Sequence, residues 1–489
     1  MAAAVPVTQP VRDDVYELSL KTAPVDQDTI YRSASYREAP DSRGTVANPL
    51  NSLGRKTVFE FNQGTASKIR WGGMALRLTM EISAAGAAME LTGNGEPKQA
   101  PDWNMVGRLI RQIKLELNTG KELYSSTDGH YLEEFTAMLL RNHAWQELSE
   151  NELMLFTPMG DRLYNIRNPA AVAGAANDST WTARGLKYCN IDSHLKPVTK
   201  IIPFLDLFPR MHDAVFRNLH TMKITITWNG STDLLTTTGN DGTGQVYLLK
   251  ADLLEDFYTL EPTTAIVETE QKVEQQQPDI IPMVVPMVRT FRYTANAQIT
   301  IPGVKNLESV MVFQFAERQS NGAAGAELRT HDSYGQFKFV SNAMAATAAG
   351  VLASADAPAL AASGNSPGIT SIGITYNGRS YPQQLILCGQ ADRGADFAQL
   401  YHEYLKALNR FGHRSISGAI PYDVFKTTMP FLWVKPFATR APKLTSNSDL
   451  IIQTTSGTVD ANAPDIVVVY FQYQVAKLEA GGTITFAVQ

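Results

Sequence analysis

Cysteine is nearly missing from this chain: Cys189 and Cys388 are the only two in 489 residues. Two cannot build a disulfide framework, and no metal-ligand spacing surrounds either, so both are expected as small buried apolar residues. Charge is scarce as well, at 19%, below the roughly 25% of ordinary soluble proteins. Nor is there a basic excess. Lys and Arg number 43 against 48 Asp and Glu, a net charge of −5, which argues against direct sequence-specific nucleic acid binding. No run approaches the roughly 18 consecutive apolar residues of a membrane-spanning helix. The most apolar stretch, Ile280 to Val288, is short and broken by Pro282 and Pro286. The opening MAAAVPVTQPVRDDVYELSL lacks a basic segment followed by an apolar one, so no export is expected and synthesis is placed in a cytoplasm. The sequons at Asn177 and Asn229 then carry no sugar.

Signatures of chemistry are missing too. The eight histidines (130, 143, 194, 212, 220, 331, 402 and 413) are dispersed, with no H-x-H, H-E-x-x-H or Cys/His cluster, so no metal site is expected. Gly120–Lys121 lacks the upstream glycine of a phosphate-binding loop and falls in a hairpin, and Gly242–Gln245 reads as a turn. The acid pairs Glu133–Glu134 and Asp13–Asp14 could in principle flank a sugar, but the first lies on the polar side of a helix. No catalytic residue, cofactor-binding residue, metal ligand or cofactor is therefore assigned, and no enzyme is expected. Of the six tryptophans, Trp228 falls in a strand and reads as core. Trp181, in a long insertion, is the one candidate for an exposed contact.

What is present is strand after strand. MALRLTMEI puts Met74, Leu76, Leu78, Met80 and Ile82 on one face and Ala75, Arg77, Thr79 and Glu81 on the other, the period of two of a half-buried antiparallel strand. TVFEFN from Thr57, IRQIKLELN from Ile110 and MKITITW from Met222 repeat the pattern. Asn118-Thr-Gly120, Asn229–Gly230 and Asn377–Gly378 punctuate the strands. Two segments follow helical spacing instead. Gly129–Asn142 carries Leu132, Phe135, Met138 and Leu139 on one face, behind Asp128 as N-cap. Ala395–Phe411 carries Phe397, Leu400, Tyr401, Tyr404, Leu405 and Leu408, and stops at Gly412.

The organisation read from this texture has four parts. Residues 1–50, without periodicity, form an N-terminal arm ordered only by docking. Residues 51–260 form a first β domain, and 261–288, rich in Gln, Glu and Pro, an extended linker. Residues 289–489 form a second β domain with a C-terminal tail. The halves echo each other. Phe59 aligns with Phe291 and Met80 with Phe313; IKLELNTGKELYSS matches IGITYNGRSYPQQL around Asn118 and Asn377; each hairpin precedes its helix; and apolar strands from Gln245 and Asp465 come last. The drifts fall where long insertions are visible, so a duplicated β domain is expected.

Two β domains of about 200 residues, each with a helix after a central hairpin, resemble the double jelly-roll major capsid proteins of tailless icosahedral viruses, the lineage of tectiviruses and adenoviruses. The resemblance spans Thr57 to Glu479 and rests on the repeat, the helices and the proline-rich linker. It implies an all-β fold of two tandem eight-stranded jelly-roll β-sandwiches, each with an inserted amphipathic helix and long loops. It further implies a major capsid protein of a virion, bacteriophage capsids included, assembling as homotrimers with a pseudo-hexagonal footprint. The implied partners are the chain itself, neighbouring trimers, minor capsid, penton or spike proteins, and an internal membrane reached through the arm. Residues 157–200 and 340–370 are the tower candidates, and truncation of residues 1–50 is expected to leave the trimer folded but impair shell assembly. The competing reading is a viral spike or a receptor- or carbohydrate-binding β-sandwich protein, which would cluster exposed aromatics such as Trp181.

Overall fold

The computed structural model describes residues 31–40, 48–49, 56–62, 67–84, 88–89, 99–101, 109–118, 120–126, 189–190, 197–208, 215–216, 219–230, 234–237, 244–260, 278–291, 297–315, 369–387, 398–410, 422, 431–436, 448–456, 465–479 and 482–486. Eight principal strands come first: β1 (Tyr31–Pro40), β2 (Lys56–Asn62), β3 (Ala75–Ser83), β4 (Ile110–Leu117), β5 (Lys121–Ser126), β6 (Val198–Pro203), β7 (Thr221–Trp228) and β8 (Gln245–Leu260). A one-turn helix, α1 (Phe204–Leu207), follows β6. Eight more succeed them: β9 (Asp279–Phe291), β10 (Gln298–Val304), β11 (Leu307–Phe315), β12 (Ile369–Tyr376), β13 (Arg379–Leu387), β14 (Leu432–Val434), β15 (Ser448–Ser456) and β16 (Asp465–Leu478). Helix α2 (Ala398–Arg410) lies between β13 and β14.

Hydrogen-bonding order shows the duplication directly. In the first half, one sheet runs β1-β8-β3-β6 and the other β2-β7-β4-β5; in the second half, they run β9-β16-β11-β14 and β10-β15-β12-β13. Every pairing is antiparallel. Adding eight to each strand of the first half gives the second, sheet by sheet. The first sheet of each half is widened by short strands, Asn48–Pro49, Ser67–Arg70 and Val215–Phe216 in the first and Ile484–Phe486 in the second. The two sets of four principal strands with these crossovers make a jelly roll, so the chain is two jelly rolls in tandem.

Each sandwich closes because its strands alternate. In β3, Leu76, Leu78, Met80 and Ile82 are at most 1% exposed, and Ile113, Leu115 and Leu117 of β4 face them from the opposing sheet. Trp71 anchors one end of this core, its ring centroid 5.0 Å from Phe204 and 5.3 Å from Phe208. Trp228 is fully buried, and its Nε1 donates to Thr57 Oγ1 at 2.8 Å. In the second sandwich, α2 packs on β14, with Tyr404 5.4 Å from Phe431 and 6.2 Å from Trp433. Burying each such aromatic stabilises the fold by about 1.5–3 kcal/mol.

Several sequence expectations change. The arm assigned to residues 1–50 contains β1, which pairs with β8 from Tyr31↔Leu260 to Pro40↔Asp252; Asn48–Pro49 pairs with the same strand. The reason is positional. An edge strand need not alternate in hydrophobicity, and YRSASYREAP does not. The linker assigned to 261–288 likewise ends early, because β9 pairs with β16 from Asp279↔Leu478 to Phe291↔Ile466. Pro282 and Pro286 are four apart, so both missing N–H groups fall on one edge, and an edge strand tolerates that. The repeat itself is displaced at its start: the partner of β2, which holds Phe59, is β10 rather than the strand of Phe291, whereas Met80 and Phe313 do sit on matching strands.

The tower ranges also overreach. Cys189 and Asn190 are fully buried, with Cys189 bridging Ile82; Val198–Lys200 belongs to β6 and Ile369–Thr370 to β12. Asn229–Gly230 ends β7 without making a hairpin, and Asn229 N–H donates to Leu109 O at 2.7 Å. The helix expected at Gly129–Asn142 lies outside the described residues, as do Cys388 and most of both tower ranges.

Candidate functional site

In a duplicated sandwich, the feature that decides what the molecule can build is how one sandwich is held to the other. Here β5, an edge strand of the first, packs against β9, an edge strand of the second. The hairpin leading into β5 is built for this contact. Asn118 adopts φ 47° and Gly120 φ 76°, left-handed values that favour these residue types. The Asn118 side chain is committed to its own domain, because its Oδ1 accepts from the backbone N–H of His220 at 2.7 Å and of Thr221 at 3.2 Å. Thr221 Oγ1 donates back to Asn118 O at 2.8 Å. The turn is therefore fixed to the start of β7.

Onto this turn leans the end of the chain. Beyond β16, Gly482 N–H donates to Glu479 O at 3.0 Å and Glu479 N–H to Thr483 O at 2.8 Å, folding Ile484–Phe486 back as a short strand on β16. Gly482 has φ 84°, and a Cβ there would stand 3.3 Å from Asn118 Cβ and 3.4 Å from His220 Cδ2. Only glycine fits this close approach without strain. Lys121, the first residue of β5, then reaches across. Its Nζ donates to Ile484 O at 2.8 Å and stands 5.1 Å from the centroid of the Phe486 ring. A cation over an aromatic face at an exposed site contributes about 0.5–1 kcal/mol. Its larger effect is angular, tying the far end of one sandwich to the hairpin of the other.

Charged groups elsewhere are structural. Asp252 is buried on β8 and accepts from Arg77 Nε at 3.0 Å and Lys250 Nζ at 3.0 Å. Glu308 and Lys435 pair at 3.6 Å, both largely buried. Lys114 is held above its usual pKa by hydrogen bonds to Glu116 and then Glu122. An open groove of about 660 Å³ lies beside β13, lined among others by Arg379, Tyr381 and Gln383 of that strand, Glu403 and Lys406 of α2, and Lys435.

Of the residues singled out in the sequence, Trp181, Glu133–Glu134 and Asp13–Asp14 lie outside the described residues, and Trp228 is core. Among the described residues, no group of three His, Cys, Asp or Glu side chains is placed to hold a metal ion, and no helix is long and apolar enough to cross a membrane. The junction residues Lys121, Gly482 and Phe486 gave no signal in the sequence, since a contact between distant segments leaves no periodicity.

No family model and no curated protein matches the chain. Solved structures do. A chain in the structure of the Sputnik virophage superposes with a TM-score of 0.55 at 12% identity, over 100% of this chain and 92% of that one. The faustovirus major capsid protein gives 0.49 at 10% identity, over 95% and 94%. The mavirus major capsid protein gives 0.48 at 13%, over 100% and 96%. The Sputnik likeness covers both sandwiches and agrees with the strand order above: the fold is a double jelly roll.

Proposed function

We propose that this chain is a major capsid protein, the repeating block of an icosahedral virion shell. The observation that carries the reading is the doubled strand order. One polypeptide presents two sandwiches of the same topology, locked by β5, β9 and the Lys121 contact, and its likeness to the Sputnik virophage chain runs the full length. Three copies of a paired sandwich offer six similar sides, so a homotrimer can occupy a pseudo-hexagonal footprint and tile a shell from one gene product. Its partners in this reading are its own copies within and between trimers, together with minor capsid, penton or spike proteins at the vertices. Residues that precede β1 are the candidate contact with an internal membrane.

Light scattering on the purified chain, with negative-stain images of the same peak, tests this. A species of three chains with a hexagonal outline is expected. A monodisperse monomer across the accessible concentration range would sink the reading and direct attention to glycan arrays.

A further inference from the structure

We infer that Glu81 and Asn190 hold a calcium ion, in a site built from one carboxylate and neutral oxygens. The site belongs to the first sandwich alone and stands whether or not the chain builds a shell. Glu81 lies near the end of β3, on the face that alternation turns away from the core, yet it is only 4% exposed. Burying a carboxylate is costly unless a cation or several donors meet it. Elsewhere the cations are in place: Asp252 meets Arg77 and Lys250, and Glu308 meets Lys435. Among the described residues no lysine or arginine pairs with Glu81, which accepts from Asn190 Nδ2 at 3.3 Å.

The second observation lies on that same amide. Asn190 is fully buried, and its Oδ1 has no hydrogen-bond partner. Turning the amide over would set this oxygen against the carboxylate, so Nδ2 is the end that faces Glu81. The pair thus brings two acceptor groups to one buried spot with a single hydrogen bond between them. A water could satisfy the oxygens but would leave the charge uncompensated. A cation does both.

Separate pieces of backbone are sewn together around this spot. Cys189 bridges Ile82, Asn190 N–H donates to Ile82 O at 2.8 Å, and Met89 N–H donates to Asn190 O at 2.6 Å. Ser83, on the same face of β3 as Glu81, is fully buried too, and Tyr247 and Gln245 of β8 stand opposite Glu81 and Ser83. Carboxylate and amide oxygens select a hard cation. Oxygens drawn from separate segments suit calcium better than magnesium, which demands a near-ideal octahedron. A single carboxylate sets the strength: calcium sites weaken as charged ligands become fewer, which places this one at about 10⁻⁴–10⁻³ M. Such a site fills in a calcium-rich medium rather than in a cytoplasm, and when filled it pins the chain at Asn190 onto β3.

Isothermal titration of the full chain with calcium chloride, from chelator-treated buffer, tests the site. Thermal unfolding in calcium, in magnesium and in EDTA accompanies it. Saturable binding at about 10⁻⁴–10⁻³ M is expected, with a midpoint higher in calcium than in EDTA and a smaller effect of magnesium. Glu81→Gln keeps the size of the side chain, removes its charge and offers Asn190 Oδ1 a donor, so it should fold and lose the site. Asn190→Asp adds a second carboxylate and should tighten binding about tenfold or more. The two variants move in opposite directions, which a loss of folding cannot imitate. A natural chain that binds no calcium and unfolds at one midpoint in calcium and in EDTA would overturn the assignment. Calcium binding that both variants leave unchanged would overturn it equally. Either result leaves the capsid reading standing.

Discussion

At the scale of single residues, polar groups buried with a partner set the sharpest expectations. Trp228 fills the first sandwich and satisfies Thr57 through its indole N–H. Trp228→Phe removes volume and leaves a buried hydroxyl without its donor, so urea unfolding should show a loss of about 1–3 kcal/mol. An unchanged midpoint would contradict the packing described. Tyr376 of β12 is fully buried, and its hydroxyl donates to Val304 O at 3.2 Å. Burial raises its pKa above the ordinary value of 10.0, partly offset by a backbone hydrogen bond from Leu307. The unfolded phenol ionises near its ordinary value and the folded one resists. Stability from this group is therefore present in full below that pH and is lost as pH climbs towards the raised folded value. Tyr376→Phe should cost stability at pH 8 but narrow the gap to the natural chain at pH 11, as read from paired urea midpoints. A constant gap would show that the phenol is not the titrating group. That Trp228 is core was legible from its place in an alternating strand. Its pairing with Thr57 was not, because the two lie 171 positions apart and no local pattern links them.

At the scale of elements, legibility followed burial on one face. Helix α2 presents Leu400, Tyr404, Ala407 and Leu408 to the core, and three of these, Leu400, Tyr404 and Leu408, belong to the apolar set whose helical spacing marked it in the sequence. Tyr404 packs between Phe431 and Trp433, so Tyr404→Ala should cost about 3–5 kcal/mol. The loss should fall on unfolding of the second sandwich and leave first-sandwich probes such as Trp71 fluorescence in place. Strands β3, β4 and β7 were readable for the same reason as α2. The edge strands β1 and β9 were not, although the edge strand β2 alternates and was. Strand β1 shows no alternation, and β9 carries two prolines that usually signal a connection. Those prolines have a consequence for assembly. An edge whose N–H groups are missing at Pro282 and Pro286 is a poor template for another strand, which fits β9 meeting β5 by packing and discourages open-ended sheet growth. The displaced start of the repeat at Phe59 has the same origin: β1 carries no alternation, so the periodic pattern of the first half begins one strand late, at β2.

At the scale of the whole molecule, the decisive contacts join segments far apart in sequence. Lys121→Ala removes the 2.8 Å bond to Ile484 O without touching either core. Each sandwich should keep its own unfolding midpoint while small-angle scattering reports a broader distribution of sizes; an unaltered scattering profile would mean that β5 and β9 suffice. The N-terminus gives a stricter test, because the structure divides the segment that the sequence treated as one arm. Removing residues 1–30 leaves β1 in place, so the first sandwich should unfold at the same midpoint, and any defect should appear only in shell formation. Removing residues 1–50 also strips β1 and Asn48–Pro49, and β8 then loses its partners at Asp252–Leu260 and at Tyr247–Leu248. A long strand deprived of one neighbour exposes a row of unpaired backbone groups and tends to aggregate. The longer truncation should therefore yield a less stable, aggregation-prone chain rather than the folded trimer expected from the sequence. Equal midpoints and equal assembly for the two truncations would show that β1 is dispensable to both the sandwich and the shell.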